Sequence, residues 1–259
     1  MIATGDAGRA ARLAFLIALP LLVVNGRAIG AGDTAVMERT AAAIVERHSV
    51  VLTEAPGSEP FTRAVPQGRV SIYPVLPALL AAPLFGAFRL FFDLDFAGTQ
   101  IAGKLAAALF TALAGAAMAS AFARRTSVGR GVAAALVFTL GTAAFSTSQA
   151  LWQHPVALLF LALALSAMER VTEGISVEGA DARGRDAFLA GACLALAAAA
   201  RTAAIPMIAV LFVFLLRRVS GQRLRAVLGA LGPALAVALF NTALFGAPWR
   251  FGPATSGRF

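Results

Sequence analysis

The chain has 259 residues, of which 59% are hydrophobic and only 14% are charged, and its mean hydropathy is +0.80. Soluble domains are about 45–50% apolar and about 25% charged, so this composition excludes a water-soluble globule of this size. The net charge of +9 does not indicate nucleic-acid binding, because the arginines lie between apolar runs, where membrane topology signals lie. The single cysteine, Cys193, allows no intrachain disulfide and no cysteine-pair metal site.

Apolar segments with the length and composition of membrane helices recur along the chain. A spanning helix needs about 20 mostly apolar residues. The sequence predicts seven of them, at residues 11–24, 101–123, 132–145, 155–168, 187–200, 203–216 and 226–244. A further apolar segment, 71–92, contains three prolines, which kink helices and remove backbone donors. We therefore expect it to be re-entrant or interfacial rather than spanning.

Arginines mark one side of the predicted bundle. They gather around residues 124–130, 170–185 and 217–225, whereas the alternate junctions are nearly free of them. Short arginine-rich loops stay in the cytoplasm, so the N-terminus is predicted to be cytoplasmic and residues 25–98 to be extracytoplasmic. The expected fold class is an all-α integral membrane protein, a polytopic bundle of about seven spanning helices. Its long first outer loop would contain interfacial or re-entrant helices, and residues 1–259 would form one transmembrane domain in the cell inner (plasma) membrane.

The outer loop holds the first candidate for chemistry, Asp33. Loops longer than about 15 residues are usually functional or disordered. Residues 34–45 alternate apolar and charged side chains, which predicts a short amphipathic helix at the membrane interface. Asp33 directly precedes this helix, where a carboxylate caps free N–H groups. It could equally act as a general base that faces extracytoplasmic water, and the two roles are compatible.

Two further polar constellations lie at predicted outer positions. Tyr73, the only tyrosine, lies near the start of the proline-containing segment. It either belongs to a functional site or anchors the segment at the membrane interface. In the turn at residues 148–155, His154 is predicted to cap a helix that begins at Pro155, with a catalytic role as the alternative. Trp152 is an interface anchor or a platform for a sugar ring. Since the chain has only two histidines, no histidine metal site is expected.

Lys104 and Arg201 lie near the outer ends of predicted spanning helices. A charge in a membrane segment is costly and is usually functional or extends to the interface. An inward-facing Arg201 could hold a phosphate, and contact with the outer surface is the alternative. The sequence contains no P-loop, GxSxG elbow, HExxH motif or dinucleotide-binding glycine pattern.

The order of these parts resembles a known enzyme family. One helix precedes a long outer loop with early acidic residues, and the motifs YPxLPALLxxP, FAGTQIAGKL, RRTSVGRG, SQALWQHP and DAFLAGACLALAAAARTAAIPM follow in that order. This pattern, which covers essentially the whole chain, resembles the bacterial GT-C membrane glycosyltransferases. These are the enzymes related to protein mannosyltransferases and lipid A aminoarabinose transferases (glycosyltransferase family 39-like).

The resemblance implies glycosyl transfer, with inversion, from a polyprenyl-phosphate sugar to an extracytoplasmic glycan, lipid or protein acceptor. Asp33 matches the family's early loop carboxylate, which implies the catalytic residue. Tyr73 stands where the family has a Lys or His before proline, so a positive charge is missing there. Lys104, His154 and Arg201 match further polar positions of the family. The implied substrate-binding residues are Arg27, Glu38, Tyr73, Lys104, Trp152, Gln153, His154 and Arg201.

The implied partners are membrane lipids, the lipid-linked donor and the acceptor, without nucleic acid. No cofactor is certain, and the need for a divalent metal ion stays open. Family members usually run well beyond this length, so we expect an N-terminal fragment, which could be inactive by itself. Two other functions stay open, a polytopic secondary transporter and a non-catalytic scaffold for cell-envelope polymer assembly. The absence of a sequence repeat disfavours a transporter, and free tolerance of changes at Asp33 and Glu38 would favour a scaffold.

Overall fold

The structure consists of a helical bundle and a smaller layer of helices and strands over one of its ends. The computed structural model describes residues 4–26, 29–52, 59–173 and 180–250. In these ranges the helices are α1 Thr4–Val23, α2 Gly32–Arg47, α3 Leu76–Arg89, α4 Phe96–Arg125, α5 Val128–Leu140, α6 Ala143–Thr147, α7 Gln153–Glu173, α8 Ala180–Ala200, α9 Ile205–Arg218 and α10 Arg223–Phe245. The strands are β1 Val51–Leu52, β2 Thr62–Val65 and β3 Gly68–Ser71.

Helix α4 is the centre of the bundle. Its 30 residues pack against α1, α5 and α7, and α8 packs between α7 and α10. Alanine dominates the buried positions of these helices, and such small side chains let helix backbones approach closely. The approach is closest between α8 and α10. A Cβ added at Gly191 would collide with the carbonyl oxygen of Ala226, and one added at Gly229 would collide with that of Phe188.

Three helices within the described ranges are long and apolar enough to cross a membrane, namely Phe96–Arg125, Gln153–Thr172 and Arg223–Phe245. The protein is therefore predominantly helical and carries helices suited to a membrane, as the sequence predicts. The other predicted spans are shorter or more polar in the structure. Helices α5 and α9 have 13 and 14 residues, fewer than the roughly 20 that a perpendicular span requires. The first half of α1 contains Asp6 as well as arginines.

Residues 29–52 and 59–95 form a layer that we call the cap. Helices α2 and α3 pack against each other and against the first half of α4 and the start of α7. The amphipathic helix predicted at residues 34–45 is confirmed as α2, and the helical part of segment 71–92 is α3. We call the covered end of the bundle the cap end. The opposite end, where α4–α5, α7–α8 and α9–α10 connect, is the arginine end.

The cap also contains a three-stranded antiparallel sheet with the order β1–β3–β2, which the all-α prediction misses. Pro66 and Gln67 connect β2 to β3, and Gly68 follows them with φ at +137°, a conformation that favours glycine. Arg63 of β2 lies opposite Val70 of β3. Strands of two to four residues with interspersed arginines lack the sustained alternation that identifies a strand in a sequence.

Residues 169–186 are polar and rich in charge and small side chains, from which the sequence predicts a mobile cytoplasmic loop. The described part of this segment is helical instead. Helix α7 continues to Glu173 and α8 begins at Ala180, while residues 174–179 lie outside the described ranges. An ion pair of 2.7 Å joins Arg170 of α7 to Asp186 of α8. The loop prediction is wrong at both ends, because charged residues extend these helices beyond their apolar segments and pair across them.

Candidate functional site

Asp33 lies in the first turn of α2, at the cap end. The N-cap residue is Ala31, and its N–H donates to the hydroxyl of Thr34 over 3.2 Å. The Asp33 carboxylate accepts the N–H of Thr34 at 2.9 Å, so it satisfies a first-turn donor from inside the helix rather than from the N-cap position. This position also suits the positive end of the helix dipole. Asp33 is half-buried.

Glu38 lies in the same helix but is only 1% exposed. Its Oε1 accepts the backbone N–H of Leu151 at 3.4 Å, whereas its buried Oε2 has no hydrogen-bond partner among the described residues. Burial raises the pKa of Glu38 from 4.5 to about 8, with the Leu151 N–H acting against this shift and the charge of Asp33 adding to it. At neutral pH this side chain is mostly an uncharged carboxylic acid.

Tyr73 lies between β3 and α3, and its backbone N–H donates to Ser71 Oγ at 3.0 Å. Burial raises the pKa of the Tyr73 phenol, and the charge of Asp33 raises it further. The phenol is therefore protonated at neutral pH and can donate a hydrogen bond.

Two aromatic side chains lie where α7 begins, Trp152 just before the helix and His154 in its first turn. The rings of Trp152 and His154 meet edge to face, with their centroids 5.9 Å apart. Trp152 Nε1 and His154 Nδ1 are buried without a hydrogen-bond partner in the part of the chain that the structure describes. Helix α7 begins at Gln153, so His154 lies inside the first turn. The prediction that His154 caps this helix is wrong by two residues, because the N-cap position is Trp152.

Arg201 directly follows α8, and its extended backbone (φ −146°) precedes a 3₁₀ turn. The charges of Arg201 and Asp33 both act on His154. Three chain segments that are distant in sequence thus bring an acid, an imidazole and a guanidinium within electrostatic range. We call Asp33, Tyr73, His154 and Arg201, together with Glu38, the polar cluster.

Lys104 lies beneath this cluster and is only 6% exposed. Its ammonium donates to Asn25 Oδ1 at 2.6 Å, and Asn25 Nδ2 donates to Gln149 Oε1 at 2.7 Å. The carbonyl oxygen of Gln149 accepts the N–H of Ile29 at 3.2 Å. This chain of hydrogen bonds joins the end of α1 to the turn that carries Trp152. Sequence reasoning missed Asn25 and Gln149, because their partners are 79 and 124 residues away along the chain.

A cavity of about 410 Å³ lies beside the polar cluster, between α2, the β3–α3 connection, α8 and α10. Tyr73 and Gln153 line it, and so does Thr202, the residue after Arg201. None of its lining residues in the described ranges is charged. The site therefore combines a polar cluster with an adjoining apolar cavity, an arrangement typical of sites for amphiphilic ligands.

The structure thus brings together all but two of the residues that the sequence singles out. Lys104 is held by Asn25, and Arg27 lies outside the described residues. No group of three or more His, Cys, Asp or Glu side chains within the described ranges could hold a metal ion. Comparisons with family models, with curated proteins and with solved structures found no match for this chain.

Proposed function

We propose that the protein is a membrane glycosyltransferase that moves a sugar from a polyprenyl-phosphate donor to an acceptor hydroxyl on the extracytoplasmic side. The observation that carries the proposal is the polar cluster beside an apolar cavity. The cavity suits the hydrocarbon of a lipid-linked donor, and the cluster supplies an acid–base group and a cation. An enzyme that acts on a lipid-linked sugar requires both environments side by side.

In the proposed reaction Asp33 accepts the proton of the acceptor hydroxyl. The hydroxyl oxygen attacks the anomeric carbon, the bond from that carbon to the phosphate oxygen breaks, and the phosphate leaves with the electron pair. A single displacement inverts the anomeric carbon. Arg201 stabilises the negative charge on the departing phosphate, and such contacts are strong where water is excluded.

The sugar binds at the turn that carries Trp152, Gln153 and His154. Trp152 and His154 supply ring faces that pack beside the sugar, and the amide of Gln153 hydrogen-bonds to sugar hydroxyls. The position of Gln153 in the cavity lining supports this assignment. The bond from Lys104 to Asn25 favours a supporting role for Lys104, which holds this turn in place, over direct contact with the phosphate.

In the proposed membrane arrangement, α1, α4, α5 and α7 to α10 all cross, and the cap lies outside. Arginines at the opposite end of the bundle support this orientation. In a Cys193→Ser background, we expect a cysteine at Gln67, in the exposed β2–β3 turn, to react with an impermeant reagent in intact cells. A cysteine at Gly129, at the arginine end, should react only after lysis. The reverse pattern would exclude the proposed orientation.

The enzymatic proposal is tested by transfer of labelled sugar from a panel of polyprenyl-phosphate donors, with the purified protein in lipid. Asp33→Asn is expected to reduce transfer by about 10²–10⁴-fold, the usual contribution of a general base, while membrane insertion and thermal stability persist. Asp93→Asn, at an exposed carboxylate between α3 and α4, is the matched control and should retain activity. Full activity of Asp33→Asn would remove Asp33 from the mechanism. Absence of transfer by the wild type from every donor would count against the enzyme and favour a transporter or scaffold.

A further inference from the structure

One buried polar side chain lies in the wall of the apolar cavity. On α10 the lining residues run from Pro233 to Phe245, which at about 1.5 Å per residue is roughly 18 Å. Asn241 lies within this stretch and lines the cavity, although only 4% of the residue is exposed. The facing walls are mostly apolar and include Leu196 of α8 and Leu76 of α3. A buried amide in such a wall usually has hydrogen-bond partners for its polar atoms.

The turn after α10 fixes the orientation of the Asn241 amide. Its Nδ2 donates to the carbonyl oxygen of Pro248 at 3.1 Å. A carbonyl oxygen can only accept, so the amide nitrogen faces Pro248 and Oδ1 is the other end of the amide. Oδ1 accepts no hydrogen bond from any described residue. Unlike the buried Nδ1 of His154, Oδ1 is not sealed by protein atoms, so it is open to the cavity that Asn241 lines.

An acceptor oxygen in an uncharged wall selects the group that meets it. None of the lining residues in the described ranges carries a charge, so a charged group would lose its water there without a counter-ion. An ionised phosphate or carboxylate offers chiefly acceptor oxygens, which Oδ1 repels. A hydroxyl is uncharged and has a proton to donate. The lining therefore favours an amphiphile with an uncharged, hydroxylated headgroup.

We propose that the cavity binds such an amphiphile, and that Oδ1 of Asn241 accepts a hydrogen bond from a hydroxyl group of its headgroup. The hydrocarbon chain lies beside α10 towards Pro233, about 12 Å from Asn241 along the helix axis. Because Pro248 holds the acceptor in place, Asn241 acts as a specificity-determining residue. The assignment of this hydroxyl to the sugar of the lipid-linked donor rests on the proposed function, but the binding of a hydroxylated amphiphile does not.

Two probes that differ in one hydrogen-bond donor test this assignment, hexadecanol and its methyl ether. Equilibrium binding of each probe is measured with the purified protein in one detergent. The ratio of the two affinities is compared between variants, because this comparison cancels the uptake of each probe by micelles. Asn241→Leu keeps a side chain of similar size that cannot accept a hydrogen bond. We expect it to lower the preference for the alcohol about three- to tenfold, the effect of one hydrogen bond.

Thr242→Ala is the matched control. Thr242 is exposed, its hydroxyl donates to Ala238 of the same helix, and it does not line the cavity, so the preference for the alcohol should not change. Ala236 lines the cavity whereas Ala234 does not, and both alanines are exposed on α10. Ala236→Phe should therefore weaken both probes, and Ala234→Phe should weaken neither. Thermal unfolding of each variant confirms that the protein is folded.

An unchanged preference for the alcohol in Asn241→Leu would overturn the assignment, and so would full binding of both probes by Ala236→Phe. The two proposals fail separately. A preference that depends on Asn241, without sugar transfer by the wild type, would remove only the enzyme. If the wild type transfers sugar, Asn241→Leu should raise the KM for the donor. An unchanged KM with a lost preference would remove only the assignment of the hydroxyl to the sugar of the donor.

Discussion

The two ends of the bundle differ in how far their charged side chains are buried and how they are paired. At the arginine end, most charged side chains are exposed or half-buried and several form ion pairs, such as Arg225 with Asp181 at 3.1 Å, although Nε of Arg183 is buried there without a hydrogen bond to any described residue. At the cap end, Glu38 and Lys104 are almost completely buried. Buried nitrogen and oxygen atoms without protein partners also lie there, including His154 Nδ1.

The contrast has energetic consequences. Exposed ion pairs contribute little to stability. Buried polar groups are costly and are usually hydrogen-bonded. The candidate site is placed at the cap end because the polar cluster lies there beside the apolar cavity, which Tyr73 lines.

The largest effect should come from the ionisation of Glu38. Because its pKa is about 8 in the folded protein and 4.5 is its ordinary value, the folded state holds this proton more tightly. The resulting stability is fully present below about pH 4.5 and is lost as the pH rises through about 8, by roughly 5 kcal/mol in all. Glu38→Gln should flatten this decline in urea unfolding from pH 5 to pH 9. Glu46→Gln, at an exposed position of the same helix, is the control and should keep the wild-type dependence of unfolding free energy on pH. If the wild type and Glu38→Gln lose stability in parallel as the pH rises, the raised pKa of Glu38 is refuted.

The next effect concerns the partner of the buried ammonium. Asn25→Ala removes the acceptor of Lys104 and the donor to Gln149. A buried charged donor that loses its acceptor costs about 2–3 kcal/mol, so the thermal unfolding temperature in detergent should fall clearly. Transfer activity should fall as well, because the turn with Trp152 loses its connection to α1. A variant as stable as the wild type would show that the cap end tolerates an unpaired ammonium.

A glycine at each end offers a steric comparison. A Cβ at Gly103 would lie 2.6 Å from Oε1 of Glu38, whereas one at Gly129 would have no neighbour within 4 Å. Gly103→Ala should destabilise the fold by about 1–3 kcal/mol through overpacking. Gly129→Ala should be neutral or stabilising by about 0.5 kcal/mol, since alanine favours a helix. Chemical unfolding of both variants measures the difference, and equal stabilities would mean that Glu38 moves aside at little cost.

The smallest effect is expected at the arginine end. Asp181→Ala removes the exposed partner of Arg225 and should change the free energy of unfolding by no more than about 0.5 kcal/mol. Repeating the measurement in high salt should erase even this difference, because salt screens exposed charges. A loss comparable to that of Asn25→Ala would remove the contrast between the two ends.

Periodicity and composition predicted much of this architecture correctly. The amphipathic run after Asp33 became α2, and the three prolines of segment 71–92 marked a helix, α3, that belongs to the cap. The short sheet was missed, because its strands carry too few alternating residues to stand out. The loop at residues 169–186 was misjudged, because its charges pair across helix ends, as Arg170 does with Asp186.

The sequence by itself determined the class of protein and the distribution of charge, because hydropathy and arginine content are local properties that need no partner. It also identified Asp33 and His154 as candidates, because polar residues are uncommon beside apolar helices. Only the tertiary structure decided which of these groups meet, which are buried and which already have partners. Burial against α4 raises the pKa of Glu38, and Lys104 is occupied because Asn25 reaches it. Burial and pairing depend on residues that are distant in the chain, so local sequence patterns cannot predict them.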